Sequence, residues 1–432
     1  MATPNKPAPG AGRPRLYVFS PLPPQRNGLA DYIVEYLTPL AREFDLYVVA
    51  ESGLTRAVEA HFKDAYQGAV PFHVISESVF SAQQPCVGAR MLYNLGNNPD
   101  CCYMLDYLQR YPGIVMLHDI SLFYLHQVML QQQRANGLMG SWLEEEGFAL
   151  PDYFLNPDGS LARSPGLLYQ ECLMLRRIIG AANTVIVHSR YAQQRSQGAV
   201  HGAFPASTLR AKFRRIPHFV LPPAAVPASQ EAATLQRYGL RPNDYVMLCP
   251  GFLTGNKMLY ELLVAYRRLR ADIPGLKLVY AGEERPDEYP ISQKISQLWP
   301  DGDGPIVTGY LSSTELDILL SRADISFVLR YPTYGETSGI LPRAVMGGAN
   351  VVTVDIGSYP EFESPLVRKV SVGTGAAEAL ETSVRTIHAA KAKAESKAVL
   401  RSAEARRAAA LAPQALYRRI GEAIRQSPEC VV

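Results

Sequence analysis

The sequence lacks the features that would place the chain across a membrane or on a nucleic acid. No apolar run approaches the roughly 18 residues that a bilayer-spanning helix needs. The N-terminal segment MATPNKPAPGAGRPR contains no hydrophobic stretch of the kind found in signal peptides, so we expect residues 1–14 to form a disordered tail. Lys and Arg total 43 and Asp and Glu total 40, a net charge of +3, and this balance gives no reason to expect a nucleic-acid partner.

The chain also lacks paired cysteines and any spacing typical of metal ligands. No CxxC pair occurs, so we expect free thiols of a cytosolic protein rather than disulfides or zinc. The sequence Asp301-Gly302-Asp303 precedes a predicted strand rather than following one, and we expect no metal there. The six scattered cysteines are Cys86, Cys101, Cys102, Cys172, Cys249 and Cys430.

The sequence does contain many short apolar runs, each followed by polar or glycine residues and then by a helical pattern. With 432 residues, 47% of them apolar and 19% charged, the chain should hold two or three globular domains. Because the runs are continuous rather than alternating, they predict strands buried on both faces, as in parallel sheets. The predicted strands are 15–20, 46–50, 72–75, 91–95, 114–118 and 184–188, then 245–249, 276–281, 306–309, 325–329, 350–354 and 369–372.

A Pro/Ala-rich break after residue 220 divides these strands into two sets. We therefore predict an α/β protein of two doubly wound domains facing each other across a cleft, in which ligands sit beyond the carboxyl ends of strands. The first domain, 15–220, carries an irregular insertion at about 140–174, and a linker follows at 221–240. A second domain, 241–395, precedes a helix at 396–432 that packs back toward the first; its basic stretch is interpreted as a solvated face, with an anionic lipid surface as the alternative.

Polar residues follow the predicted strands of the first half. The loop after the first strand contains Asn27, Gly28 and Asp31 and opens a helix, which suits an anion but resembles many strand-to-helix turns. His118 and His188 each end a strand, where an imidazole could bind a substrate hydroxyl or move a proton. From the residues alone, a structural histidine is the better interpretation of both, and of His218 before the linker.

Two loops of the second half carry groups suited to a diphosphate. Glycines from Gly251 onward allow close approach of the backbone, and Lys257 supplies positive charge. The segment 330–343 offers two arginines, two hydroxyls and one carboxylate, and Pro342 predicts a helix start near Gly339 with free amides. From this segment we expect diphosphate contacts from Arg330, Ser338, Gly339, Ile340 and Arg343, and hydroxyl contacts from Glu336.

The chain as a whole resembles the retaining, GT-B type glycosyltransferases of the "glycosyl transferases group 1" family. The resemblance covers about residues 15–425. It implies two Rossmann-like domains of the GT-B fold, an acceptor domain followed by a nucleotide-sugar domain. The motifs that carry it are Asn27-Gly28-Leu29-Ala30-Asp31-Tyr32, Ile186-Val187-His188-Ser189, Ile216-Pro217-His218, Gly251 to Lys257, Val307-Thr308-Gly309-Tyr310 and Ala323-Asp324-Ile325.

Two positions depart from the family pattern. Phe252 stands where the family usually has an arginine beside the phosphate-binding lysine. The family's two glutamates, eight positions apart, are not both present, because Ala344 lies eight positions after Glu336. The Gly-Glu-Thr-Ser-Gly sequence resembles a subgroup found in surface-polysaccharide gene products. We therefore hypothesise that Glu336 alone holds the donor ribose and that Arg330 or Arg343 replaces the missing arginine.

The resemblance implies transfer of a sugar, with retention, from a UDP-, GDP- or dTDP-sugar to a glycan, lipid-linked or small-molecule acceptor. It assigns catalysis to His118, Lys257 and Glu336, and diphosphate contacts to Gly28, Gly251 and Lys257. Base and ribose contacts then fall to Gly309, Tyr310 and Glu336, and acceptor contacts to Asn27, Asp31 and His188. We expect no metal or other cofactor, no nucleic-acid partner, and a cytoplasmic location that leaves open a peripheral contact with the inner face of the membrane.

Two other interpretations share the fold. The incomplete glutamate pair and Phe252 favour a catalytically inert homologue that acts as a scaffold or partner subunit. A GT-B epimerase or phosphorylase is the third, although no lysine site for pyridoxal phosphate is evident.

Overall fold

The computed structural model describes residues 12–83, 88–133, 135–162, 166–218, 226–391 and 413–429 of the chain. These fall into two compact units. Unit 1 comprises Met1–Pro217, Tyr334–Thr337 and Gln414–Val432, and unit 2 comprises His218–Thr333 and Ser338–Pro413. Residues 1–11 of the predicted tail, the start of the predicted linker, Cys86, Cys430 and residues 392–412 of the basic C-terminal stretch lie outside the described residues.

Unit 1 is built on a seven-stranded parallel sheet in the order β3-β2-β1-β4-β5-β6-β7. Strand β1 lies between β2 and β4, so the chain reverses its direction of progress across the sheet at β1. The strands are β1 Arg15–Phe19, β2 Asp45–Ala50, β3 His73–Ser76, β4 Arg90–Leu95, β5 Ile114–Leu117, β6 Thr184–Val187 and β7 Phe213–Arg215.

Unit 2 repeats this plan with a six-stranded parallel sheet in the order β10-β9-β8-β11-β12-β13. The reversal falls at β8, between β9 and β11. The strands are β8 Tyr245–Pro250, β9 Leu276–Ala281, β10 Ile306–Val307, β11 Ile325–Val328, β12 Asn350–Val354 and β13 Val367–Val370.

Helices connect the strands, as parallel neighbours require. In unit 1 they are α1 Gly28–Glu43, α2 Thr55–Ala65, α3 Glu77–Gln83, α4 Cys102–Arg110, α5 Phe123–Gln132, α6 Met139–Glu145, α7 Gly166–Glu171, α8 Arg176–Ala181, α9 Arg190–Val200 and α10 Ala206–Lys212. In unit 2 they are α11 Ala228–Arg237, α12 Leu259–Leu269, α13 Ile291–Leu298, α14 Ser313–Arg322, α15 Ile340–Met346 and α16 Ala376–Lys391. Single 3₁₀ turns occur at Pro99–Cys101, Asn136–Leu138, Pro151–Phe154, Gly255–Lys257 and Tyr359–Glu361.

The last described helix, α17 (Pro413–Gln426), runs into the C-terminal part of unit 1. Its apolar side chains Leu416, Ile420 and Ile424 are almost fully buried. Just beyond it, the carbonyl of Ser427 accepts a hydrogen bond from Arg90 of β4 at 3.3 Å. Apolar burial and this bond fix the helix within unit 1. Among the described residues, none of the helices has the length and hydropathy of a bilayer-spanning segment.

Two predictions about elements need correction, and one strand was not predicted. Part of the region predicted as a linker, 221–240, forms α11, and Leu235 and Tyr238 pack on the core of unit 2. The predicted insertion contains α6, α7 and a 3₁₀ turn between them. Strand β7 was not predicted because its sequence, Phe-Arg-Arg, is neither long nor apolar. It forms by pairing with its neighbour β6. The four described cysteines are free thiols, as predicted.

Replacing Gly113 by alanine should destabilise unit 1. A Cβ at this position would lie 2.6 Å from both the Cβ and the carbonyl oxygen of Met91, where β4 and β5 pack together. Such overpacking costs about 1–3 kcal/mol of unfolding free energy. Urea unfolding should therefore give a lower midpoint for Gly113→Ala. The control Gly198→Ala, on α9, where the added Cβ meets no atom within 4 Å, should keep or raise the midpoint; equal midpoints would contradict the packing.

Candidate functional site

In unit 1, buried polar side chains line the carboxyl edge of the sheet. Ser20 follows β1, Asn94 lies near the end of β4, His118 follows β5 and His188 follows β6. The order β1-β4-β5-β6 makes these four strands consecutive neighbours. Because all four run in parallel, their carboxyl ends form one row of side chains.

His118 and His188 lie side by side in this row. Their ring centroids are 4.7 Å apart, and the ring of Tyr32 from α1 lies 4.8 Å from His118 and 5.8 Å from His188. His118 Nε2 and Asn94 Oδ1 are 2.5 Å apart, and His188 Nδ1 lies 2.8 Å from the carbonyl of Ile216.

Both histidines are neutral near pH 7. Burial lowers the pKa of His188 to about 4. Burial, and then the neighbouring His188, lower the pKa of His118 well below its usual range. Neither imidazole therefore offers a positive charge to a phosphate. Neutral imidazoles are also metal ligands, and the absence of a metal stays a prediction.

The predicted acceptor residues of the first loop have local partners. Asn27 is the N-cap of α1, because its Oδ1 accepts a hydrogen bond from the Ala30 amide at 2.8 Å. Its Nδ2 donates to Asp100 at 2.6 Å. Gly28 is the first residue of α1, with open space where a Cβ would lie, and Asp31 is exposed in the first turn. Asn27 thus orders the start of the helix, and Gly28 leaves it accessible.

In unit 2, two cations lie at the end of β8. Lys257 is only 8% exposed, and its Nζ donates a hydrogen bond to the carbonyl of Pro250, the last residue of β8. Gly251 follows with a φ of +89°, and a Cβ there would come within 2.7 Å of Lys257 Nζ. The glycine is therefore required both by the turn and by the lysine.

Arg330 joins this loop from β11, the neighbour of β8 in the sheet. Its guanidinium donates to Asn256 Oδ1 at 2.6 Å and to Thr254 Oγ1 at 3.3 Å. Lys257 and Arg330 both act to lower the pKa of Cys249, which burial raises, so both charges lie close to the end of β8. The result is a loop with two fixed positive charges, which we call the cation loop (residues 250–257 with Arg330).

An aromatic contact that the sequence did not predict joins Phe252 of the cation loop to Tyr310. Phe252 lies 6.3 Å from the ring of Tyr310, which follows Gly309 and is 39% exposed. The guanidinium of Arg285, after β9, lies over Phe252 at 4.7 Å from the ring centroid. Arg285 thus supplies a positive charge beside position 252, where the family usually has an arginine. No motif in the sequence indicated this contact.

The predicted cluster 330–343 is divided between the two units. Residues Tyr334–Thr337 belong to unit 1, where the Tyr334 carbonyl accepts from the Ser121 amide at 3.2 Å. A Cβ at Gly335 would overlap Ile120. Glu336 Oε2 accepts from the Tyr334 amide at 2.8 Å. Glu336 therefore belongs to unit 1, whereas Lys257 and Arg330 belong to unit 2.

The remaining members of that cluster have structural partners within unit 2. Ser338 Oγ accepts from the Leu341 amide at 3.1 Å, and α15 begins at Ile340, one residue after Gly339. Arg343 binds Asp317 Oδ1 at 2.7 Å and the carbonyl of Ser313 at 2.8 Å, both on α14. Arg343 thus joins α15 to α14, and its predicted contact with a diphosphate stays a prediction.

Residues 231–403 match the family described as "Glycosyl transferases group 1". No curated protein sequence matches the chain.

Three solved structures resemble the whole chain. Anabaena HepE, in complex with UDP and glucose, is 14% identical over 96% of this chain and 100% of its own, with a TM-score of 0.63. Sucrose-phosphate synthase from Thermosynechococcus elongatus is 15% identical over 96% and 99%, with a TM-score of 0.56. WaaG, a glycosyltransferase of lipopolysaccharide biosynthesis, is 13% identical over 95% and 100%, with a TM-score of 0.55. These similarities confirm the predicted GT-B fold, and the family match supports the predicted family.

Replacing Arg343 by alanine should lower the stability of unit 2 and leave nucleotide binding unchanged. The change strands the largely buried carboxylate of Asp317, and losing hydrogen bonds to such a charged group costs about 1.5–3 kcal/mol. Urea unfolding and calorimetric titration with UDP measure the two effects.

The matched control is Arg268→Ala, since Arg268 forms exposed ion pairs on α12 and should lose less than about 1 kcal/mol. An Arg343→Ala protein that keeps normal stability but binds UDP weakly would contradict this prediction and support a contact between Arg343 and the diphosphate.

Proposed function

We propose that the chain is a retaining glycosyltransferase that moves a sugar from a nucleotide-diphosphate donor to a saccharide, lipid-linked or small-molecule acceptor in polysaccharide or glycoconjugate biosynthesis. The HepE structures hold UDP or UDP-glucose, so a UDP-sugar is the first donor to test, before GDP- and dTDP-sugars. The family match, which includes the cation loop, supports the same reaction class.

The observation that carries the proposal is the cation loop. Lys257 and Arg330 are fixed at the carboxyl ends of β8 and β11, at the point where strand order reverses. Doubly wound sheets bind their ligands at this point. Two fixed cations and the backbone of Gly251 suit a diphosphate, because charge-assisted hydrogen bonds to phosphate are among the stronger polar contacts.

The cation loop would act on the leaving group. When the bond between the sugar C1 and the donor phosphate oxygen breaks, its electron pair stays on the diphosphate, and the acceptor oxygen bonds to C1 on the same face. The acceptor proton passes to the leaving phosphate, as the family resemblance implies. Lys257 and Arg330, already in place, stabilise the developing negative charge without reorganisation, so that no metal is needed.

Other predicted contacts form part of the proposal. Tyr310 and Gly309, beside Phe252 and Arg285, are proposed to meet the nucleotide base, and Glu336 to hold ribose or sugar hydroxyls. On unit 1, His118 is proposed to contact the transferred sugar, and Asp31 and His188 the acceptor. Asn27 contributes by capping α1, and a peripheral membrane contact and a cytoplasmic location are proposed with them.

An inert homologue is the second candidate. Glu336 without a second glutamate, together with the structural role of Arg343, favours it. Such a protein would bind a partner subunit and would not need Lys257 to bind a nucleotide. The two functions therefore differ in their response to nucleotides.

Incubation with nucleotide sugars should raise the melting temperature of the protein with one nucleotide class, because a ligand that binds the native state stabilises it. The same donor should be consumed in an acceptor screen in the presence of EDTA, and NMR of the product should show the donor's anomeric configuration. No shift with UDP, GDP or dTDP species would support the inert homologue, an inverted product would refute retention, and loss of activity in EDTA would refute the metal-free reaction.

Replacing Lys257 by methionine should weaken UDP binding about ten- to a hundredfold, because one charge-assisted contact worth about 1.5–3 kcal/mol is lost while the apolar stem is kept. Arg330→Ala should act in the same direction. Calorimetric titration gives the affinities, and Lys294→Met on α13, which removes a lysine at a distance in the chain from the cation loop, should bind UDP normally. Unchanged affinity in Lys257→Met would remove the diphosphate from this loop.

A further inference from the structure

Asn94 is a fully buried polar side chain within an apolar strand of unit 1. Burying an amide without hydrogen bonds is unfavourable, so its place in β4 requires partners. Those partners are Ser20 at the end of β1, Tyr36 on α1 and His118 at the end of β5. Asn94 thus links three neighbouring elements.

The hydrogens in this group can be assigned from its donors and acceptors. Ser20 has one hydroxyl hydrogen, and it goes to the carbonyl of Pro21 at 2.7 Å. Ser20 Oγ must therefore accept from Asn94 Nδ2 at 3.0 Å. That contact orients the amide and turns Asn94 Oδ1, an acceptor only, toward His118. The Tyr36 hydroxyl donates to the same oxygen at 3.4 Å.

His118 must then donate from Nε2. The distance of 2.5 Å between His118 Nε2 and Asn94 Oδ1 is a hydrogen bond, and Asn94 Oδ1 has no hydrogen to supply. A neutral imidazole carries one N–H, so the second nitrogen, Nδ1, carries a lone pair and can only accept.

The surroundings keep this ring neutral. Tyr32 and Tyr36 face it from α1, and burial raises the pKa of both tyrosines, so neither supplies a negative charge. His188 faces it from the end of β6 and is itself neutral near pH 7. Asp119, the next residue in the chain, accepts from the Asn97 amide at 2.8 Å.

We infer that Asn94 is a positioning residue that fixes His118 as the neutral Nε2–H tautomer, in which Nδ1 can accept a hydrogen bond but has no hydrogen to donate to a phosphate. The tautomer follows from the hydrogen bonds that Asn94 makes, and its effect on a bound donor rests on the proposed function. The inference assigns a role to a strand residue that no motif of the sequence contains. It also leaves phosphate binding to the cations of unit 2 rather than to His118.

The tautomer can be measured without any substrate. In protein labelled with ¹⁵N-histidine, long-range proton–nitrogen NMR distinguishes a protonated Nε2 from a protonated Nδ1, and the His118→Gln protein identifies the His118 signals by their loss. At pH 7 we expect a protonated Nε2 and an unprotonated Nδ1 for His118. A protonated Nδ1, or an imidazolium, would overturn the inference whether or not the protein is a transferase.

The role of Asn94 is tested by N94D, which keeps the shape of the side chain and adds a negative charge beside His118 Nε2. A neighbouring carboxylate raises a histidine pKa by about 1–3 units. The imidazolium then forms at higher pH and places a hydrogen on Nδ1. In N94D the pH below which kcat/KM for the donor falls should therefore rise by about one unit or more, and activity should recover at alkaline pH.

The control is N183D, which makes the same charge change at the opposite edge of the sheet, just before β6, where Asn183 bonds the carbonyl of Pro112. It should leave the pH profile in place. An N94D protein with uniformly low activity at every pH would reduce Asn94 to a structural residue. If no donor is turned over, the proposed function fails while the NMR result still decides the tautomer, and the same spectrum decides it if N94D does not fold.

Discussion

The parallel direction of every paired strand is the constraint on which both units depend. In a parallel sheet all carboxyl ends meet at one edge, and the order of strands decides which loops become neighbours. In unit 1 this order brings Ser20, Asn94, His118 and His188 together although they span almost 170 positions of the sequence. In unit 2 it joins Arg330 to the loop after β8.

The sequence was most informative where burial alone decides the structure. Continuous apolar runs located twelve of the thirteen strands of the described chain, because a strand covered on both faces leaves a plain signal. Strand β7 and helix α11 escaped prediction since each forms against a neighbour that the sequence does not name. Lys257 and Arg330 were both predicted as diphosphate contacts because each lies in a segment that follows a predicted strand, and only the structure shows that those two strands are neighbours.

Side-chain partners were the part that could not be predicted. Arg343 and Arg330 look equivalent in sequence, but α14 presents Asp317 to the former, while Asn256 receives the latter. Asn94 appears in the sequence only as a polar residue in an apolar run, a signal that indicates an internal partner without naming it. Arg285, which follows β9, lies over Phe252 although the two residues are 33 positions apart in the chain.

The buried neutral histidines of unit 1 also make its stability depend on acidity. In the unfolded chain a histidine takes up a proton near its usual pKa of 6.5, whereas in the fold the pKa of His188 and of His126 lies at about 4. Below pH 6.5 the unfolded form therefore binds more protons, and the free energy of unfolding falls as the pH drops toward 4. Glu146, whose pKa burial raises, opposes this loss in part. Mild acid thus acts, through these histidines, on the half of the molecule that holds buried neutral imidazoles.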